Sequence, residues 1–542
     1  MKVGRPQAPA VAGAVALVVG SLSPWATFAG FPGKMSLAGF PGGARLFCLL
    51  LTAGALLFVL DVGGRRWAAL ATSAGAAVVV GVNLIALVDQ GGGLGSVAWG
   101  AWLSTAGAAL LVAAAWRLPP GSPAAGEEAP TRAPALEIAA VAVALLALLS
   151  AVVWGLAIDE SSRFVSFLVF VTSVSVALHH LGVFGWLGAL FARHHRIALL
   201  LAGAVAVAFP FTQQGNAYWI RVFASIGVFA VAAIGLNVVV GLAGLLDLGY
   251  VAFFGVGAYV GALLSNAALT TVHVHIPFIV VVLLGGLIAA VFGLVIGTPT
   301  LRLRGDYLAI VTLGFGEIFR ITANNWDGLT RGPNGISGVP DLAMGGFDFG
   351  QSHSVFGVTL PGFANYYFVE LVLICGAILV FTRLNDSRIG RAWVAIREDE
   401  VAAAASGIDT IRLKLLAFAI GAFLAGAAGT VNAHVTTQVS PDSYTFLESI
   451  LLVAAVVLGG MGTVPGALLG STALFVLPEK LRSFQDKRLL LFGAALILLM
   501  RFRPEGLVPS RRRRRELREE APEGVPGLPG ATGPPPGSPV AS

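Results

Sequence analysis

Charge is scarce in this sequence. Asp, Glu, Lys and Arg make up 11% of its 542 residues, against about 25% in an ordinary soluble domain. A soluble fold of this length needs far more charge to cover its surface. The deficit excludes a cytosolic enzyme, a disordered protein and a nucleic-acid-binding module. Cysteine is scarcer still. Cys48 and Cys375 both lie inside apolar runs and read as small buried hydrophobes, which excludes a disulfide framework or a metal-binding pair. What is abundant is apolar surface: 56% of residues are hydrophobic and the mean hydropathy is +0.85. Glycine is also abundant, at 69 residues, and Gly-rich helices pack backbone to backbone in lipid. Together these describe an all-α polytopic membrane protein.

Apolar runs predict about 14–16 transmembrane or half-spanning helices, at 9–28, 45–60, 67–89, 96–117, 137–158, 164–192, 197–210, 218–240, 243–266, 276–297, 307–322, 367–383, 412–435, 446–459, 464–478 and 489–500. Several fall short of the roughly 20 residues a spanning helix needs, so those near 197–210, 307–322, 446–478 and 489–500 read as tilted, half-spanning or broken. Threading from a cytoplasmic N-terminus places 24 of the 34 Lys and Arg on the inner side, among them Arg65, Arg66, Arg193, Arg196, Arg302, Arg304 and Arg511 to Arg515. That asymmetry puts both termini in the cytoplasm. The basic, then apolar, start reads as an uncleaved first span, because it runs to Phe28 without a cleavage site.

The chain divides by composition. Residues 1–117 hold four spans, 118–136 form a Pro/Ala-rich linker, 137–217 hold further spans, and 218–508 form the core. Residues 509–542 form an Arg-rich and then Pro/Gly-rich tail that cannot build a core and is expected to be disordered. The Arg511–Arg515 run pins the last helix inside or meets anionic lipid.

No catalytic or metal motif emerges. Gly33-Lys34 lacks the Gly spacing of a phosphate-binding P-loop. The tandem pairs His179-His180 and His194-His195 point in different directions on a helix and make poor joint metal ligands. His273 and His275 fall in an outer loop. The expectation is that the chain binds no cofactor itself.

Residues 384–411 break the apolar pattern. IGRAWVAIREDEVAAAASGI (389–408) carries Gly390, Arg391, Arg397, Glu398, Asp399 and Glu400, then an Ala run including Ala402 and Ala403, then Gly407 as a helix stop. A charged amphipathic helix between two spans suits docking to a soluble partner. Ala402-Ala403 and Gly407 match the E-A-A-x-x-x-G spacing of the coupling loop of ABC importer permeases, although Val401 stands in the Glu position.

Longer stretches extend the likeness: IGLNVVVGLAGLLDLGYVAFFGVGAYVGALL (234–264), LRLRGDYLAIVTLGFGEIFRI (301–321), GPNGISGVP (332–340), VSPDSYTFLESILLVAAVVLGGMGT (439–463) and RFRPEGL (501–507). In this order and spacing, 218–508 resembles the LivM-type permease subunit of branched-chain amino acid ABC transporters. The N-terminal 200 residues form a membrane extension outside the likeness. The resemblance implies an ABC importer permease core in the plasma membrane, paired with a second, LivH-like permease. It further implies two ABC ATPase subunits that carry ATP and Mg on the cytoplasmic face, and an extracytoplasmic solute-binding protein. It also implies that 384–411 is the ATPase-coupling loop. Branched-chain amino acids, or alternatively urea or short amides, are the implied cargo; an ion-coupled secondary transporter or a membrane scaffold are readings from other classes.

Within the core, Asp247, Gly249, Tyr250, Glu317, Gly459, Gly460 and Gly462 are candidates for the translocation path. An intramembrane carboxylate is costly and faces the protein interior or water. Asp247 reads equally as the cap of a restarting helix, and Glu317 as the partner of Arg320 at i+3. Gly459-Gly460-Met461-Gly462 predicts a break between two half-helices. Gly257/Gly261 and Gly421/Ala425/Gly429 predict close helix packing.

Overall fold

The structure, a computed structural model, describes residues 7–26, 44–60, 66–91, 93–118, 133–158, 160–213, 217–265, 276–300, 306–344, 346–355, 357–480 and 506–508, with isolated positions at 493, 497 and 501. The tail 509–542, the span expected at 489–500 apart from two positions, most of the linker, and His273 and His275 lie outside the described residues. The chain divides into two compact units, Met1–Gln214 and Gly215–Ser542. Ten helices among the described residues are long and apolar enough to cross a membrane, and four shorter apolar helices accompany them.

The first unit holds α1 (Gln7–Leu22), α2 (Arg45–Leu60), α3 (Arg66–Gly91), α4 (Trp99–Trp116), α5 (Pro134–Leu156), α6 (Ser161–His180), α7 (Val183–Arg193) and α8 (His195–Thr212). α5 starts inside the stretch read as linker, with Pro134 at its first turn, where the missing N–H costs nothing. The single span expected at 164–192 is two helices, α6 and α7, because Gly182 takes a left-handed φ of 76° and turns the chain. Small residues bring α1 and α4 together: the Gly107 carbonyl lies 2.9 Å from where a Cβ on Gly13 would stand. Glu137 is buried and accepts hydrogen bonds from Arg193 at 2.6 Å and His194 at 2.8 Å, so its charge is paired where water is excluded.

The second unit begins with α9 (Ala217–Leu236), which passes into a π-helical turn, Asn237–Leu242. Irregular backbone follows over 243–250, and α10 (Val251–Ser265) starts only then. The span expected from 243 is therefore a broken helix whose first eight residues are not helical. After it come α11 (Phe278–Thr300), α12 (Asp306–Asn325), α13 (Asp327–Thr330), α14 (Gly362–Asn385), α15 (Arg388–Glu398), α16 (Glu400–Ala405), α17 (Thr410–Thr436), α18 (Phe446–Gly459) and α19 (Val464–Lys480). The long loop before α14 is not plain loop. β1 (Ile336–Ser337) pairs antiparallel with β6 (Gln438–Val439), β2 (Ala343–Met344) with β3 (Phe347–Asp348), and β4 (His353–Val355) with β5 (Val358–Leu360). Cys375, expected to be buried, is exposed on α14, while Cys48 is buried.

α17 is the axis of this unit, 27 residues long and about 40 Å at 1.5 Å per residue. α9, α10 and α11 pack around it. The glycine stripes make this possible. A Cβ on Gly257 would collide with the Gly426 carbonyl, and one on Gly429 with the Phe254 carbonyl; Gly261 faces Thr430. Thr430 Oγ1 donates to the Gly257 carbonyl at 2.9 Å. Backbones approach this closely only where no side chain intervenes.

Candidate functional site

The charged segment folds as two short helices at one end of the bundle. Ser387 caps α15, its side chain accepting from the Gly390 N–H at 3.1 Å. Asp399 caps α16, accepting from the N–H groups of Val401 and Ala402. Gly407, at φ +86°, ends it as the sequence suggests: the Gly407 N–H bonds the Ala404 carbonyl and the Ile408 N–H the Ala403 carbonyl.

This element has an anchored face and an open one. Trp393 is fully buried and donates from Nε1 to the Leu413 carbonyl at 2.7 Å. Lys414, itself buried, holds Glu400 at 2.6 Å. Ala403 is buried in the core cluster. Arg391, Glu398, Asp399, Val401, Ala402 and Gly407 are exposed. The candidate coupling residues are thus split, some gripping the bundle and the rest left open to a partner.

Arg397 reaches inward. Its Nη1 donates to the Gly241 carbonyl at 2.8 Å, inside the π-helical turn, and its stem packs on Gly244. A π turn leaves carbonyls displaced from the regular ladder, and here one of them receives the guanidinium. In the same turn the fully buried Asn237 bridges to the second break in the unit. It donates to the Thr463 carbonyl at 2.9 Å and accepts from the Gly462 N–H at 2.8 Å.

That second break is the one expected at 459–462. α18 ends at Gly459, Gly460 and Gly462 have positive φ, and α19 restarts at Val464. α18 has 14 residues and α19 has 17. Alone, α18 is shorter than the hydrocarbon core, which takes about 20 residues. The two pack as a hairpin in which a Cβ on Gly470 would collide with the Ala455 carbonyl. The last carbonyls of α18 are not left open: the Leu507 N–H bonds Leu458 and the Val508 N–H bonds Gly459, each at 2.8 Å. Thr463 Oγ1 donates to the Val508 carbonyl at 3.0 Å.

Asp247 is buried, and its carboxylate accepts from the Gly249 N–H at 2.9 Å. This is an Asx turn within the irregular segment, not the cap of α10 that the sequence suggested. Gly249 is pressed against the Thr312 carbonyl of α12, and Tyr250 donates to the Gly421 carbonyl at 2.7 Å. Glu317 lies on a more open face, held by Arg320 with Nε at 3.0 Å. The same guanidinium stands 3.7 Å from Asp442.

At the other end of α17 a cavity of about 500 Å³ opens between α9, α10, α17, α18 and α19. Ser225, Asn432, Thr436, Gln438 and Ser443 give it polar walls. Phe229, Phe254, Phe475 and Tyr444 give it aromatic ones, and Glu448 carries charge into it. The floor is where α10 begins: the Val251 N–H donates to Ser449 Oγ at 3.0 Å. None of the seven path candidates lines this cavity. Sequence reasoning missed Glu448, although a carboxylate inside the apolar run 446–459 is the signal that marks such residues.

Comparison with known proteins fits this geometry. Residues 218–500 match the family model described as branched-chain amino acid transport system / permease component. The high-affinity branched-chain amino acid transport system permease protein LivM of Salmonella typhimurium is 41% identical over 329 residues, which is 58% of this chain and 76% of that protein. A probable LivM of Methanocaldococcus jannaschii is 25% identical, covering 84% of its length. The LivH permease protein of Escherichia coli is 28% identical over 286 residues, 91% of its length. No solved structure matches. A match across more than half the chain, over the very unit that carries the two linked breaks, makes this protein a member of the branched-chain amino acid transport permease family.

Proposed function

We propose that this chain is one permease subunit of an ABC importer for branched-chain amino acids, pairing in the plasma membrane with a second, LivH-like permease. One observation carries the mechanism: α15–α16 presents an open face at one end of the bundle, while Arg397 ties it to the π turn and Asn237 ties that turn to the α18–α19 break. Packed elements shift as units. A partner that tilts α15–α16 therefore moves both breaks together.

Two ATPase subunits would supply that motion, binding ATP and Mg themselves; this chain acts as the transport path and holds no nucleotide. Their dock would be Arg391, Glu398, Asp399, Ala402 and Gly407. With α15–α16 and both termini in the cytoplasm, the cavity, which Gln438 of β6 lines, faces outward, where a solute-binding protein would deliver its cargo. The names of the relatives, and the aromatic walls of the cavity, support an apolar amino acid over urea or short amides.

The test is co-expression with a second permease, two ATPases and a binding protein. ATP-dependent uptake of labelled leucine is the expected result. Uptake that proceeds without the ATPases, or of urea in preference to leucine, would overturn the reading.

A further inference from the structure

The cavity at the α10 floor has a one-sided chemistry. Glu448 is the only charged residue among its described lining residues. It sits in the first turn of α18, half-buried, and forms no ion pair with a described residue. The guanidinium on the adjacent α12, Arg320, is already engaged by Glu317 and Asp442. A carboxylate at this depth persists only where it faces water or meets a cation, and among the described residues none supplies that cation.

The same cavity also carries an apolar shelf. Phe229 stacks on Phe475 with ring centroids 4.2 Å apart, and on Phe254 with centroids 5.5 Å apart. A volume of about 500 Å³ lies in the range of small-ligand sites, roughly 300–1,000 Å³.

We propose that Glu448 receives the ammonium group of the transported amino acid while its aliphatic side chain lies against the Phe229, Phe254 and Phe475 stack. The proposal rests on the importer reading above and specifies its substrate: a zwitterion with an apolar side chain. The substrate carboxylate is left to neutral donors such as Asn432 and Gln438. Solutes without an ammonium gain nothing from Glu448, and anionic ones are repelled by it. Urea and short amides are neutral and make only ordinary hydrogen bonds there.

The test uses the transporter reconstituted with its partner subunits, with Cys48→Ala, Cys375→Ala and Ser443→Cys in this chain. The thiol at the exposed position 443 is labelled by a membrane-impermeant maleimide. Leucine is expected to protect it, and 4-methyl-2-oxopentanoate, which has a keto oxygen in place of the ammonium, is not. Adding Glu448→Gln should raise the half-protecting leucine concentration about tenfold, the loss of one charge-assisted hydrogen bond; Glu448→Asp should restore most of it. Equal protection by the two solutes, no protection by leucine, or an unchanged leucine concentration in Glu448→Gln would overturn the proposal. If Glu448→Gln fails to assemble, the comparison of the two solutes on the Glu448 chain still decides. Uptake of labelled leucine by the unsubstituted transporter is measured alongside. Its presence together with a failed protection result defeats the Glu448 site alone; its absence defeats the importer reading itself.

Discussion

At the scale of single residues, the second unit depends on atoms that are missing as much as on those present. Gly257 and Gly426 meet backbone to backbone, so Gly257→Val inserts a side chain where there is no room. Overpacking of this kind costs about 1–3 kcal/mol or more, and a lower thermal midpoint in detergent is the expected readout. Asn237 is different, because from the π turn it makes two bonds to the α18–α19 break. Asn237→Ala leaves the Gly462 N–H unpaired, at about 1–3 kcal/mol, and leaves the Thr463 carbonyl with only the Ala467 N–H; it should lower both stability and transport. Much of this level is legible in the sequence. The small-residue stripes and the Glu317–Arg320 pair follow from spacing of three and four on a helix. Asp247 and Glu448 do not. Their roles depend on which segment lies opposite, and a one-dimensional pattern carries no information about that.

At the scale of elements, the informative feature is the chain of contacts from α15 to the π turn to the α18–α19 break. Arg397→Ala removes the first link but leaves the open face of α15–α16 intact. The expected phenotype is uncoupling: ATPase subunits still assemble and hydrolyse ATP, and less leucine enters per ATP consumed, as measured in proteoliposomes. Gly407→Leu acts at the surface instead. Its φ of +86° strains any side chain, at about 1–2 kcal/mol, and the added bulk stands on the open face. Less ATPase should co-purify. Element existence was legible because each long helix is a long apolar run. Element ends were not. The split of α6 from α7 at Gly182 and the loss of helix over 243–250 lie within continuous hydrophobic sequence, where hydropathy is blind to φ. The pairing of β1 with β6 joins residues about a hundred apart, beyond any local signal.

At the scale of the whole molecule, the family match falls on the second unit and leaves the first outside it. The linked breaks, the cavity and α15–α16 all belong to Gly215–Ser542. A chain reduced to that unit should retain leucine uptake when co-expressed with its partners, measured against membrane abundance. The class of protein was legible from 11% charge alone; the division into units was not, because apolar runs look alike on both sides of it. One structural detail also bears on how the protein is made. The carbonyls at the end of α18 are met by the N–H groups of Leu507 and Val508, residues translated some fifty positions later. Synthesis proceeds from the N-terminus and folding follows it. The hairpin break therefore waits, unfinished, until 506–508 has been made and has returned to it. The closing step of biogenesis is thus built into the same joint that the proposed coupling would move, and a chain cut short before residue 506 should be recognised as incomplete and degraded.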